Sequence, residues 1–264
     1  MFAAVLGMVA VLSTTPLRSF AGEGGAGPLE RLRRPPLPSD AVGQIPHNVL
    51  SLLNPLSLDA REGALLAGAV GSVVLLAHAD VRTFRTIENR WPNPRILGMP
   101  AFDWASLPGD GQLEVGGLIA LYVAGGARDR SAAVGAFEAL VATGVVVRAM
   151  KWATGVPRPS DSPDHRRWGE FSLRHDAFPS GHVAGAIAVA TVLGESYDQP
   201  WLPAATAVVV GLGRIKDRSH WLSDVLAGAA IGSLFGRRGV LLHGLNRDVR
   251  LVPTADGLRV AVPF

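Results

Sequence analysis

The sequence predicts an all-α protein, a helical bundle of about six core helices. Three observations predict it. Apolar residues make up 48% of the 264-residue chain and charged residues only 18%, which supplies enough apolar side chain for a sizeable core. The apolar residues fall in stretches of helical length, 62–79, 114–127, 131–150, 182–195, 201–213 and 221–236. Outside the tail, no alternation of period two lasts long enough to suggest a sheet.

The elements follow in order. Phe2–Leu12 is an apolar run with small residues after it, Ser19 and Ala21 standing at the positions a signal peptidase reads. Residues 1–21 are therefore expected to be a signal peptide or N-terminal anchor, although no Lys or Arg precedes the run. Residues 22–46 read as a flexible linker, with Gly22, Gly24, Gly25 and Gly27 leading into Arg31, Arg33, Arg34, Pro35, Pro36 and Pro38. A helical domain is expected over 47–248. Its stretches are separated by turn signals at Trp91-Pro92-Asn93-Pro94, Pro108-Gly109-Asp110-Gly111, Pro157 to Pro163 and Gln199-Pro200. In the tail, 249–264, Val249, Leu251, Val260 and Val262 flank an Asp256-Gly257 turn and can form a small hairpin.

Membrane spanning is left open. The best candidate, Ala64–Ala77, is shorter than the ~20 residues a span needs, and Glu138 and Asp224 interrupt two other stretches. Small residues recur at spacing four, at Gly228, Gly232 and Gly236 and at Gly181 and Gly185. That spacing lets helices approach closely, in a membrane or in a tight soluble bundle.

The absence of cysteine excludes a disulfide scaffold, a thiolate nucleophile and Cys-ligated metal sites. The net charge of +3 rests on 23 Arg and only two Lys, Lys151 and Lys216. A nucleic-acid binder would show a denser basic stripe, so none is expected as a partner.

Three clusters in the C-terminal half carry chemistry. Lys151 is followed after six residues by Arg158-Pro159, then come Pro179-Ser180-Gly181-His182, and then Arg214, His220 and Asp224. Each alone has an ordinary reading. Lys151 suits a helix C-terminus, Arg158 is a loop arginine, Ser180 is a good N-cap, and His220 and Asp224 are a surface pair at i and i+4. Each also has a chemical reading. A helix N-terminus at Ser180 and Gly181 is an anion site with His182 beside it. A carboxylate at Asp224 would fix the tautomer of His220 and free its other nitrogen as nucleophile or base. Bound zinc is set aside, because an arginine-rich pocket repels a cation and the usual helix spacings are missing. Together the clusters make an inventory for phosphoryl transfer without a metal.

These residues resemble the type 2 phosphatidic acid phosphatase and vanadium haloperoxidase superfamily, whose signature is K-x6-RP, PSGH and SR-x5-H-x3-D. The resemblance covers about residues 130–236, and Gly213 stands where the family usually has Ser. It implies an all-α bundle with the active site on its central helices. It implies that His220 attacks phosphorus to give a phosphohistidine, that Asp224 orients it, and that His182 protonates the leaving oxygen and then activates water. Lys151, Arg158, Arg214, Ser180 and Gly181 would bind phosphate oxygens.

The expected function is a metal-independent acid phosphatase with no cofactor, acting on phosphate monoesters or diphosphates. A phosphorylated lipid or small organic phosphate is the expected partner, and the expected place is the periplasm or the inner membrane with the site facing the periplasm. Two alternatives stand: a haloperoxidase holding vanadate on His220, and a non-enzymatic envelope protein. The segment 161–176, with Arg166 and Arg167, is either a solvated loop or a lid that recognises anionic head groups.

Overall fold

The bundle is assembled where two helices carry residues too small to hold them apart. The computed structural model describes residues 41–55, 77–162, 174–245, 250–254 and 257–261, with isolated positions at 58, 62, 63, 67, 71, 73 and 171. Among the described residues there are eight α-helices: α1 (Ala41–Leu53), α2 (Asp80–Arg90), α3 (Ala101–Ser106), α4 (Gly111–Ala124), α5 (Ala127–Thr154), α6 (Gly181–Ser196), α7 (Leu202–Lys216) and α8 (Leu222–Leu242). The all-α expectation holds. The expected N-terminal signal, most of the run 62–79 and the lid arginines Arg166 and Arg167 lie outside the described residues.

Helix α8 is the axis. Nearly every one of its residues is buried, which is why it reads as apolar on all sides rather than as a stripe. Its glycines form the seam with α6. A Cβ at Gly228 would stand 2.5 Å from the Ser180 carbonyl oxygen, at Gly232 2.3 Å from that of Ala184, and at Gly236 2.8 Å from that of Ala188. Both rows step by four residues, so one ridge of each helix lies against the other, backbone to backbone. On another face of α6, a Cβ at Gly185 would meet Glu114 Oε2 at 2.9 Å and Leu140 Cδ1 at 3.0 Å, bringing α4 and α5 against it.

The main apolar core lies between α2, α6, α7 and the start of α8. It joins Phe84, Ile87, Val183, Ile187, Val210 and Leu226, and each such side chain contributes about 1.5–3 kcal/mol by leaving water. Trp221 closes this core toward the site: its ring meets Phe84 edge-on at 5.6 Å, and its indole N–H donates to the Pro157 carbonyl at 2.9 Å.

Polar residues that break the apolar stretches are paired inside. Glu138 is fully buried in α5, accepting from Asn48 of α1 at 2.9 Å and lying 2.6 Å from His243 Nε2 beyond α8. That pairing satisfies a polar side chain buried mid-helix. Helix boundaries have local causes. The Asp110 carboxylate caps α4 by accepting from the N–H groups of Gln112 and Leu113. Gly155, at φ 56°, ends α5 in the left-handed conformation and donates to the Lys151 carbonyl at 3.0 Å.

The structure departs from expectation in two places. Helix α1 starts at Ala41, inside the stretch expected to be linker, with Pro46 within it. Pro46 reads locally as a breaker, but burial of Ala41, Asn48 and Leu52 holds the helix together. Helices α2 and α3 are additions to the expected set, because one is rich in charge and the other has six residues. The hairpin expected in the tail is present: Arg250–Thr254 pairs antiparallel with Gly257–Ala261, Leu251 opposite Val260. Its turn residues, 255 and 256, are outside the described residues. A second ladder, Arg95–Ile96 with Met99–Pro100, is only two residues long.

Candidate active site

Backbone hydrogen bonds tie the three sequence clusters into one place. Ser180 N donates to the Asp224 carbonyl at 3.0 Å, and Ala177 N to Val156 O at 2.9 Å. Ser160 N donates to Arg218 O at 3.0 Å, and His220 N to Arg214 O at 3.1 Å. The loop after α5, the start of α6, the end of α7 and the start of α8 therefore converge. The site sits at the ends of the central helices.

His220 stands just before α8 and is buried, with its Nδ1 3.4 Å from Asp224 Oδ2. The surface-pair reading fails, because both side chains are enclosed. Asp224 Oδ2 also accepts the Trp221 backbone N–H at 2.8 Å, which locks the carboxylate against the first turn of α8. Burial pushes the His220 imidazole well down, and the Lys151, Arg214 and Arg158 cations push it further. Its ring is therefore held neutral, with a lone pair to offer. Burial pushes the Asp224 carboxyl up, while the Trp221 N–H and the Lys151 and Arg158 cations work in the opposite direction.

His182 lies in the first turn of α6 and is half-buried. Burial, then the nearby Arg214 cation, pushes it down to about 4. The carbonyl of His182 is packed against Gly109, where a Cβ would come within 2.5 Å of it. That contact places Asp110 nearby, whose charge works in the opposite direction on the imidazole.

The cations arrive from three elements. Lys151 is buried at the end of α5. Arg214, in the last turn of α7, donates from Nη1 to Asp217 Oδ2 at 2.6 Å, and Asp217 in turn accepts the Ser219 N–H at 2.9 Å. Arg158 donates from Nε to Asp176 Oδ1 at 2.9 Å and from Nη2 to Oδ2 at 3.2 Å. Lys151 Nζ donates to the backbone carbonyl of the same Asp176. Burial would raise the Asp176 carboxyl, but the Arg158 hydrogen bonds and the Lys151 charge outweigh it and hold the group below the usual carboxylate range.

Ser180 corrects one expectation. It occupies the N-cap position of α6, yet its side chain makes no capping bond. Among the described residues its Oγ is buried without a hydrogen-bond partner, as are Arg214 Nε, His220 Nδ1 and Asp224 Oδ1. Buried polar atoms are nearly always hydrogen-bonded, and four motif side chains each leave one such atom free to meet a ligand.

All eight expected site residues are thus brought together. Asp176, Asp217 and Asp80 join them beyond expectation. In the sequence Asp176 is only one member of a charged linker. Asp80, fully buried at the start of α2, accepts from Ser223 N at 2.9 Å and from Ser223 Oγ, fixing the first turn of α8 beside His220. Gly213, where the family usually has Ser, also has a local reason. A Cβ there would lie 2.5 Å from Ser106 Oγ and 2.7 Å from Phe102 O of α3.

Comparison with known proteins agrees with the resemblance. Residues 132–248 match the family model described as PAP2 superfamily. A lipid A 1-phosphatase of Porphyromonas gingivalis is 36% identical over a region that covers 39% of this chain and 22% of that protein. Lipid phosphate phosphatase 1 of Arabidopsis thaliana is 30% identical, with 38% of this chain and 41% of that protein covered. The chain thus spans less than half the length of these relatives. The crystal structure of Aquifex aeolicus LpxE is similar with a TM-score of 0.47 and 25% identity, covering 61% of this chain and 94% of that one. Over residues 132–248 the chain is thus similar to the PAP2 superfamily.

Proposed function

We propose that this protein is a phosphatase acting on phosphorylated lipids through a phosphohistidine on His220. The observation that carries the reading is the burial of the His220 side chain beside Lys151, Arg158 and Arg214 at the N-terminus of α6, with Ser180 Oγ and Arg214 Nε lacking partners among the described residues.

The chemistry follows from the positions. Lys151, Arg158 and Arg214 bind the phosphate oxygens together with the Ser180 hydroxyl and the Gly181 amide, and they stabilise the charge that spreads over the equatorial oxygens. His220 attacks phosphorus as the bond to the lipid oxygen breaks. His182 gives its proton to that oxygen. The imidazole of His220 becomes cationic, and Asp224 stabilises it across the 3.4 Å gap. His182, now neutral, takes a proton from water, which attacks the phosphohistidine and releases phosphate. No step calls for a metal or a cofactor.

Three things support a lipid substrate and an association with the membrane. Two relatives are named for lipid phosphates. Helices α5 and α8 are long and apolar enough to cross a membrane by length and composition, a test that buried core helices also pass. On the outer side of α4, Leu113, Ile119 and Val123 are 55%, 58% and 71% exposed, a wide apolar surface for one helix. Placement in the periplasm or on the inner membrane facing it belongs to the same reading. Protease treatment of intact spheroplasts tests it.

The test of function is hydrolysis of a panel of lipid and soluble phosphates with chelator present, comparing wild type with His220→Ala and adding vanadate as inhibitor. The reading requires activity that survives chelator, is inhibited by vanadate and is absent from His220→Ala. Activity that vanished with chelator or survived the substitution would contradict it.

A further inference from the structure

We infer that Asp176 is a positioning residue of the phosphate pocket, a single residue that holds Lys151 through its backbone carbonyl and Arg158 through its carboxylate, and so aims both cations at one anion. The inference rests on the phosphatase reading of the site.

A carboxylate beside an anion pocket is at first sight a contradiction, since it repels phosphate. Geometry resolves it. Arg158 presents Nε and Nη2 to the two oxygens of Asp176, at 2.9 and 3.2 Å. This two-pronged pairing fixes the plane of the guanidinium. It uses one edge of the group and leaves Nη1 and the second Nη2 hydrogen to donate elsewhere. Lys151 is joined to Asp176 by one hydrogen bond, with Nζ 3.8 Å from Oδ2, so two of its three N–H donors are left. Both side chains are long and lose much rotamer freedom when they bind a ligand. Asp176 removes that freedom beforehand.

The backbone just after this residue is itself held. Its neighbour Ala177 donates to Val156 O at 2.9 Å, and Thr154 Oγ1 donates to Phe178 O at 3.1 Å. The stretch of backbone from Asp176 runs straight into Ser180, whose N–H is bonded to Asp224. One short segment thus sets the spacing between the cations, the N-terminus of α6 and the His220–Asp224 pair. The ion pair is partly exposed to solvent, and such pairs add little to stability. Its work is therefore expected in the kinetics and not in the fold.

The experiment compares wild type, Asp176→Asn, Asp176→Ala, Asp176→Glu, Arg158→Ala and the Asp176→Ala/Arg158→Ala double variant. The substrate is a short-chain phosphatidate, and orthovanadate is the transition-state mimic. Asp176→Ala should lower kcat/KM and raise the vanadate Ki by about 10- to 100-fold, the range for a partner that orients a binding group, with the thermal midpoint nearly unchanged. Asp176→Asn keeps the backbone carbonyl and one side-chain oxygen, so its loss should be smaller, and Asp176→Glu should recover part of the activity. The double variant should be little worse than Arg158→Ala, because the two act as a unit.

An unchanged vanadate Ki in Asp176→Ala would overturn the inference. So would tighter vanadate binding, which would make Asp176 a competitor that phosphate displaces. Additive losses in the double variant would overturn it as well. If wild type hydrolyses the lipid and binds vanadate, these outcomes bear on Asp176 alone. If wild type does neither, the phosphatase reading and this inference fall together.

Discussion

His220 Nδ1 lies 3.4 Å from Asp224 Oδ2, and that same oxygen accepts the Trp221 backbone N–H at 2.8 Å. One carboxylate therefore anchors the first turn of α8 and faces the imidazole. The two duties separate in Asp224→Asn, which keeps an oxygen for the Trp221 N–H but cannot take up charge. Its thermal midpoint should stay close to wild type while kcat falls by at least ~100-fold, the scale of losing an acid–base partner. Circular dichroism melts and steady-state kinetics on the same preparation check this.

His182 gives a pH prediction. Burial and Arg214 push its imidazole down to about 4, so without a bound anion it holds a proton only in acid, which confines the proposed donation to the leaving oxygen to that range. A bound dianion adds opposite charge and raises it. The kcat/KM profile should therefore fall as pH rises from the acid side. A proton NMR titration should show the His182 resonance titrating near 4 without ligand and markedly higher with vanadate. An unmoved midpoint would contradict the placement of the anion beside His182.

The seam between α6 and α8 is tested by adding one methyl group. A Cβ at Gly232 would stand 2.3 Å from Ala184 O and cannot be accommodated without parting the helices. Gly232→Ala should cost about 1–3 kcal/mol or more. Gly144→Ala is the control: that residue is exposed on α5, and a Cβ added to it would meet nothing within 4 Å among the described residues. It should be neutral or stabilising by about 0.5–1 kcal/mol, since alanine is the better helix former. Denaturant melts compare the two.

Glu114 links stability to pH. Burial, with help from Asp110, pushes its carboxyl up to about 8 from an ordinary value near 4.5, and its Oε1 is buried without a hydrogen-bond partner among the described residues. The folded state thus holds a proton that the unfolded chain releases. Stability should fall as pH rises from about 4.5 to about 8 and level off beyond. Glu114→Gln should flatten this slope, match wild type near pH 4, and melt higher by several degrees at about pH 9, since each kcal/mol moves Tm by ~2–4 °C at this size.

Much of the site is legible in the sequence because its chemistry depends on local spacing. Lys151 and Arg158 lie either side of one helix end, Ser180 to His182 open the next helix, and His220 and Asp224 are four apart. The glycine spacing likewise encodes the α6–α8 contact. What stays hidden depends on distance along the chain. Asp80 caps α8 from 143 residues away, and no local pattern encodes that. Asp176 sits in a stretch of mixed charge that looks like a solvated loop, and only its pairing with Arg158 tells it apart. Helix α2 escapes a reading by apolar runs because its outer side carries Arg82, Arg85, Glu88 and Arg90, leaving Phe84 and Ile87 as a thin inner stripe. Glu138 reads as a break in an apolar run, and only the fold brings Asn48 and His243 around it.

Attack by His220 on phosphorus is tested most directly by trapping the covalent intermediate. His182→Ala protein would be mixed with p-nitrophenyl phosphate labelled in its phosphate, whose leaving group departs without a proton, then quenched and digested to locate the label. An acid-labile, alkali-stable phosphate is expected on the peptide that contains His220, because the nucleophile remains while water is no longer activated. No label is expected in the His182→Ala/His220→Ala protein. Label persisting in that double variant, or p-nitrophenolate released in a burst with no phosphate on His220, would contradict nucleophilic attack by this histidine.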